Sequence, residues 1–166
     1  GNMTKCTTMT LMGALLLGAL PVSAETWNFT IIAGHPPLTK GVSAISSHFV
    51  PEVSRRVAEL GHTINWTEAY AGAVAPPTGV LEAVESGVAE FGYVPQLFEG
   101  DKLPLDQITY ITPFGTADLT KLMEVIDQLY AEIPEMNEAW ADNGQMVLAP
   151  VGIDTYHFVT KFPIET

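Results

Sequence analysis

Cysteine is all but absent from this chain. Cys6 is the single one in 166 residues, and basic side chains are almost as scarce, with seven Lys and Arg against nineteen Asp and Glu. The lone cysteine lies in an N-terminal segment where Lys5 precedes an apolar run from Leu11 to Leu20. That run ends in Pro21-Val22-Ser23-Ala24, and Glu25 follows. A basic start, an apolar stretch too short to span a bilayer and small residues at its end are the layout of a secretory signal peptide, with the cut expected after Ala24. The run is apolar all round rather than on one face, which argues against a buried amphipathic helix. Gly1-Asn2 ahead of Met3 reads as an added pair, so residues 1–24 are set apart from the fold. Cys6 also lacks the small apolar residues that precede a lipidated cysteine. Removal of the leader leaves no thiol, no disulfide and no cysteine-ligated metal.

Export without a disulfide fits a bacterial periplasm better than an animal secretory pathway. The sequons at Asn28-Phe29-Thr30 and Asn65-Trp66-Thr67 point the other way, but a three-residue pattern arises often by chance. After the cut, six bases remain against nineteen acids, a net charge of −13. Nucleic acid is excluded as a partner by that balance, since phosphate neutralisation needs clustered Lys and Arg and the only adjacent pair is Arg55-Arg56. An anionic membrane surface is disfavoured on the same ground, and no membrane insertion is expected once the leader is gone.

Catalytic signatures are also missing. There is no Gly-x-Ser-x-Gly elbow, and Ser43, Ser46, Ser47 and Ser54 fall within a helical pattern, where a serine is ordinarily solvated or packed. His35, His48, His62 and His157 are scattered without metal-ligand spacing. Glu82 and Glu85 read as an exposed acidic face rather than an acid/base pair. Gly-rich phosphate loops are absent. The expectation is a protein that is not an enzyme, with no cofactor and no metal.

What is present is an alternation of strands and helices. Trp27 to Ile31 reads as a first strand, closed by Gly34-His35-Pro36-Pro37. Val42, Ile45, Phe49, Val53, Val57 and Leu60 keep a helical phase up to Gly61, with a kink or a break into two helices expected at Pro51. A second strand is expected at Thr63 to Glu68, and a short helix from Pro76-Pro77-Thr78 to Gly87. A third strand is read at Val88 to Val94. After a polar loop over 100–106, an extended stretch is expected through Ile108, Tyr110 and Ile111 to Pro113. Leu119, Leu122, Met123, Ile126, Leu129, Tyr130 and Ile133 mark the most regular helix, capped by Asp118 or Thr116 and interrupted by Pro134. Another helix holds Met136 and Trp140, and Met146 to Val151 and Tyr156 to Thr160 read as two further strands.

Such alternation predicts an α/β domain with a largely parallel sheet flanked by helices, over residues 25–155. Ligands of such sheets sit beyond the carboxyl ends of the strands. The residues expected there are His35 after strand one, Glu68 and Tyr70 after strand two, Tyr93 with Gln96 at the end of strand three, and Asp154, Tyr156 and His157 at the last strand. Aromatic walls with a few polar groups suit a small-molecule cleft. The start of the Pro76-Pro77-Thr78 helix is a further place where backbone donors can meet an anion.

In order along the chain, these pieces resemble the solute receptor of a tripartite ATP-independent periplasmic (TRAP) transporter, of the dicarboxylate-binding DctP type. The resemblance rests on the leader, on Thr63-Ile64-Asn65-Trp66-Thr67-Glu68 leading to Tyr70-Ala71-Gly72, and on the unit from Val80 to Tyr93 (Val-Leu-Glu-Ala-Val-Glu-Ser-Gly-Val-Ala-Glu-Phe-Gly-Tyr). It resumes at Ile111-Thr112-Pro113-Phe114-Gly115 and at Tyr156 to Ile164. It implies a periplasmic-binding-protein-like, type II-like fold whose two lobes close on a small organic acid and deliver it to TRAP membrane subunits. By the same resemblance, residues 156–166 begin the crossover toward a second lobe that is largely missing. The missing part includes an Asp-Leu-x-Gly-x-Lys-x-Arg segment whose arginine pairs with the solute carboxylate. Glu68, Tyr70, Tyr93, Tyr156 and His157, with His35 and Asp154, are the expected ligand-binding residues. Two alternatives stay open: the receptor of an ATP-driven importer, and an exported hydrolase or lyase using Glu68 and His157.

Overall fold

Ile31, Ile32 and Ala33 are the only three consecutive buried residues of the first strand, and that run marks where the chain is covered on both faces. The computed structural model describes residues 23–112 and 115–153, together with Lys161 and Pro163. Strand β1 (Thr26–Ala33) is central, with β2 (Thr63–Ala69) on one side and β3 (Phe91–Tyr93) on the other, all parallel. Parallel strands need crossovers that lie on the sheet faces, and this connectivity supplies them. The result is an α/β fold in which a three-stranded parallel sheet is flanked by helices.

The first crossover runs without a break through α1 (Lys40–Ala44), a π-helical turn (Ile45–Phe49) and α2 (Val50–Glu59). Pro51 cannot donate a hydrogen bond and its ring crowds the preceding turn. The wide turn immediately ahead of it, closed by Val50 N–H to the Ile45 carbonyl, accommodates this without ending the helix. Beneath it, Phe29, Trp66 and Phe91 form a ring layer across all three strands, with Trp66 and Phe91 5.2 Å apart and Phe49 6.0 Å from Trp66. The indole of Trp66 donates to Ser54 Oγ at 2.9 Å, so the polar edge of this layer is satisfied.

The opposite face is covered by α3 (Val80–Glu85), which follows a 3-10 turn at Pro77–Gly79. Val80 packs with Ile32, Ala75 and Ala89 under the sheet, while its neighbour Leu81 packs with Leu103 and Trp140. One helix of six residues thereby joins the sheet to the helical layer behind it. The third strand is shorter than expected for a local reason. Gly87, at a φ of 76°, closes α3 with Gly87 N–H to Val84 O and Val88 N–H to Ala83 O, so Val88 belongs to the helix end. The Thr30 N–H, left beyond the ladder, is taken by the Glu90 carboxylate at 2.7 Å.

Two expected strands are corrected. Ile108–Ile111 forms a short helix, α4, not an extended stretch. Its β-branched residues favour strands, but the preceding turn is anchored: Gln107 Nε2 donates to the Gln96 carbonyl at 2.6 Å, and Asp106 accepts from Tyr130. Tertiary anchoring outweighs β-propensity here. Met146 to Val151 joins no sheet among the described residues and bends at Leu148. The helical expectations at α5 (Leu119–Glu132) and α6 (Pro134–Asp142) are met, with Asp118 capping α5 through Lys121 N–H at 3.1 Å. The strand expected at Tyr156 to Thr160 lies outside the described residues. No helix among the described residues is long and apolar enough to cross a membrane.

Candidate functional site

The strand order β2-β1-β3 places β1 between partners reached by connections that leave in opposite directions, and the crevice of such a sheet lies outside the ends of β1 and β3. Ala33 is in register with Tyr93, and one residue beyond Gly34 the ring of His35 meets Tyr93 edge-on, with centroids 5.9 Å apart at 88°. The structure therefore brings together two residues expected at the site from different strands. His35 Nδ1 is buried with no hydrogen-bond partner among the described residues. Buried ring nitrogens are ordinarily hydrogen-bonded, so this one sets the strand end apart.

Gly41, at the start of α1, lets Tyr93 adopt this position. A methyl group there would stand 2.7 Å from the Tyr93 hydroxyl and ring edge. Gly41→Ala is expected to push the ring outward while leaving the fold largely intact, because the obstructing atoms are the far end of a side chain that can turn. A changed near-ultraviolet tyrosine signal, with stability lowered by less than about 1 kcal/mol, would check this.

Beside this pair, Glu68 and Tyr70 converge at the end of β2, and the π-helical turn adds Ser46. Ser46 Oγ donates to Glu68 Oε2 at 2.5 Å and Tyr70 OH donates to the same oxygen at 2.8 Å, with the two hydroxyls 3.3 Å apart. Burial pushes the Tyr70 hydroxyl up to about 12, with the Ser46 hydrogen bond acting against it and Glu68 adding to it. Tyr70 is thus a protonated donor at any physiological pH. Ser46 is the member that sequence reasoning missed. Its helical phase looks unremarkable, and only the π turn sets it against β2.

An elongated cleft of about 500 Å³ opens alongside β3. Phe49, Phe91 and Tyr93 form its aromatic wall, and Gln145 to Ala149 with Val151 form the opposite one. His48, Glu90, Gln96 and Gln145 supply its polar groups, and among the described residues neither Lys nor Arg lines it. Of the expected site residues only Tyr93, with its neighbour Gln96, borders this cleft; His35, Glu68 and Tyr70 stand apart from its walls. Asp154, Tyr156 and His157 lie outside the described residues.

The adjacent basic pair Arg55-Arg56 is engaged along α2 and does not line the cleft. Arg55 grips Glu52 at 2.8 Å and Glu59 at 2.5 Å, and Arg56 holds Glu52 at 2.7 Å, all along α2. The two guanidiniums hold the Glu52 carboxyl down at about 2. The helix start at Pro77 is less open to an anion than its sequence suggests: Gly34 backs directly onto Pro76-Pro77, and Gly79 N–H already donates to Pro76 O at 2.9 Å. Among the described residues, no group of three or more His, Cys, Asp or Glu side chains is arranged to hold a metal. No protein-family model matches the chain, and no curated protein and no solved structure matches it.

Proposed function

We propose that this chain supplies a lobe of an exported solute receptor of the TRAP transporter type, which captures a small organic acid in the periplasm and delivers it to membrane subunits. The observation that carries the reading is the meeting of His35 and Tyr93 beyond the ends of β1 and β3, with Ser46, Glu68 and Tyr70 gathered beside them. A parallel sheet binds ligands at that place, and two aromatic side chains with a handful of hydrogen-bonding tips are what a small polar solute needs. The leader-like residues 1–24 support export, and the strand and glycine patterns from Thr63 to Tyr93 support the transporter class. The Ser46 hydroxyl is engaged by a carboxylate and a phenol rather than by an imidazole base, which favours binding over turnover. A periplasmic-binding-protein-like architecture, with this sheet as its first lobe, follows from the same reading.

The test is a thermal-shift and calorimetric panel of mono- and dicarboxylic acids on the full chain. At least one acid is expected to raise the unfolding midpoint. Tyr93→Ala is expected to weaken that binding about tenfold, through loss of an aromatic face and its hydroxyl. A panel without any response, or binding indifferent to Tyr93→Ala, would overturn the reading.

A further inference from the structure

The solute-receptor reading leaves the body of the solute undefined, and the cleft beside β3 bears on it. Its second wall is a strap. At one end Gln145 is fixed twice, by its backbone N–H to Trp140 O at 3.0 Å and by its side-chain amide to Leu81 O at 2.9 Å. At the other end Gly152 lies so close to α5 that a methyl group there would come within 2.7 Å of Leu119 Cδ1 and 3.1 Å of Met123 Cγ. Between these anchors the chain bends at Leu148. Val147 turns inward onto the Leu81, Leu103 and Trp140 cluster, whereas Met146 and Leu148 are 76 % and 56 % exposed. Both line the cleft and face no described apolar cover.

Apolar side chains held out by a doubly anchored strap, across from a wall of aromatic rings, form the two jaws of a site for an apolar body. The lining chemistry fixes its class. With Glu90 on the lining, neither Lys nor Arg there among the described residues, and a protein of net charge −12, an anionic group has no basic counter-charge inside the cleft. The polar end of the solute therefore points out of the cleft, past Tyr93, toward solvent. We propose that the solute is an acid with an aromatic or comparably bulky apolar body, gripped between Phe49, Phe91 and Tyr93 on one side and Met146 and Leu148 on the other. Met146 and Leu148 act as specificity-determining residues, and a compact dicarboxylate of similar charge is the poorer ligand. This inference rests on the receptor reading and adds the solute class to it.

Calorimetry on the full chain with phenylacetate, succinate and benzyl alcohol separates the two. Phenylacetate is expected to bind at least about tenfold more tightly than succinate, and Leu148→Asn to weaken phenylacetate about tenfold, as loss of one apolar contact surface predicts. Because Leu148 is more than half exposed, the unfolding midpoint of that variant is expected to stay where it is, so weakened binding cannot be put down to misfolding. Met146→Gln, nearly isosteric, provides the second variant. Amide exchange across Met146 to Ala149 is expected to slow when phenylacetate is present. Succinate binding as tightly as phenylacetate, with both variants neutral, would overturn the inference and leave the receptor reading standing. Benzyl alcohol binding as tightly as phenylacetate would support the apolar cleft and remove the carboxylate from the reading. Absence of binding by all three would overturn the inference.

Discussion

Gly34→Ala is expected to destabilise the domain by about 3 kcal/mol, a large share of the stability of a chain this size. A Cβ at Gly34 would lie 2.5 Å from the Pro76 carbonyl carbon and from Pro77 Cα, and closer still to the Pro77 nitrogen. These are backbone atoms, and two consecutive prolines deny them the torsional freedom to withdraw. Gly92 is a second tight position. A methyl there would come within 2.8 Å of Val80 Cγ1 and Val84 Cγ2, β-branched side chains stiff at χ1, and Val80 is fully buried. Gly92→Ala is therefore expected to be destabilising as well. Because Gly34 precedes His35, the Gly34→Ala substitution is also expected to disturb the His35 and Tyr93 contact. Urea titration measures the stability loss. A midpoint within experimental error of the parent would show that the two segments do not approach as described.

Tyr130→Phe is expected to cost about 3 kcal/mol at neutral pH, since one hydroxyl serves two partly buried groups. Tyr130 donates to Asp106 and accepts from the Trp140 indole at 3.0 Å, and Asp106 Oδ2 is already buried with no partner among the described residues. Burial raises the Asp106 carboxyl above its ordinary 3.8, against the lowering effect of the Tyr130 and Trp140 hydrogen bonds, and burial raises Glu99 likewise. For an acid raised in the folded state, the unfolded chain ionises first. The penalty is full above the folded-state value, shrinks as pH falls through it and vanishes below the unfolded value. The parent protein is therefore expected to gain stability as pH falls through the raised folded-state value of Asp106, and Tyr130→Phe to recover part of its loss over that same step. Glu52 works in the opposite sense: held at about 2 by Arg55 and Arg56, its stabilisation is present above 4.5 and lost as pH falls below that. Chemical denaturation across the acid range that shows stability only falling, with no gain before the Glu52 loss sets in, would rule out the buried Asp106 arrangement.

The fold was legible in the sequence wherever a pattern was long or closed by a special residue. β1, β2 and α5 announce themselves by alternation or by a continuous apolar stripe, and Asp118 and Gly87 mark the helix ends where they stand. Short segments were harder. Ile-Thr-Tyr-Ile at 108–111 has the composition of a strand and is a helix because Asp106 and Gln107 are held by distant partners. Met146 to Val151 is an apolar run with the composition of a buried strand but has no ladder among the described residues, and composition alone carries no information about a neighbour. At the site, a parallel sheet was enough to predict that residues after β1 and β3 would meet, as His35 and Tyr93 do. Ser46 was invisible because its contact depends on the wide turn, and a π turn leaves no periodic trace in so few residues. The cleft was likewise hidden, being a property of what stands on both sides of β3.

That wide turn has a consequence for the whole first crossover. An α-helix advances about 100° per residue, so one additional residue wound into a single turn rotates everything downstream by nearly a third of a revolution. Ile45 and Phe49 address the cleft while Ser46 reaches over to β2, and past Pro51 the Arg55 and Glu59 pair is turned out to solvent. The turn works as a clutch between two halves of one rod. Each half keeps its own angular setting, the upstream half bordering the cleft through Gly41 and Ala44 and the downstream half meeting Trp66 through Ser54.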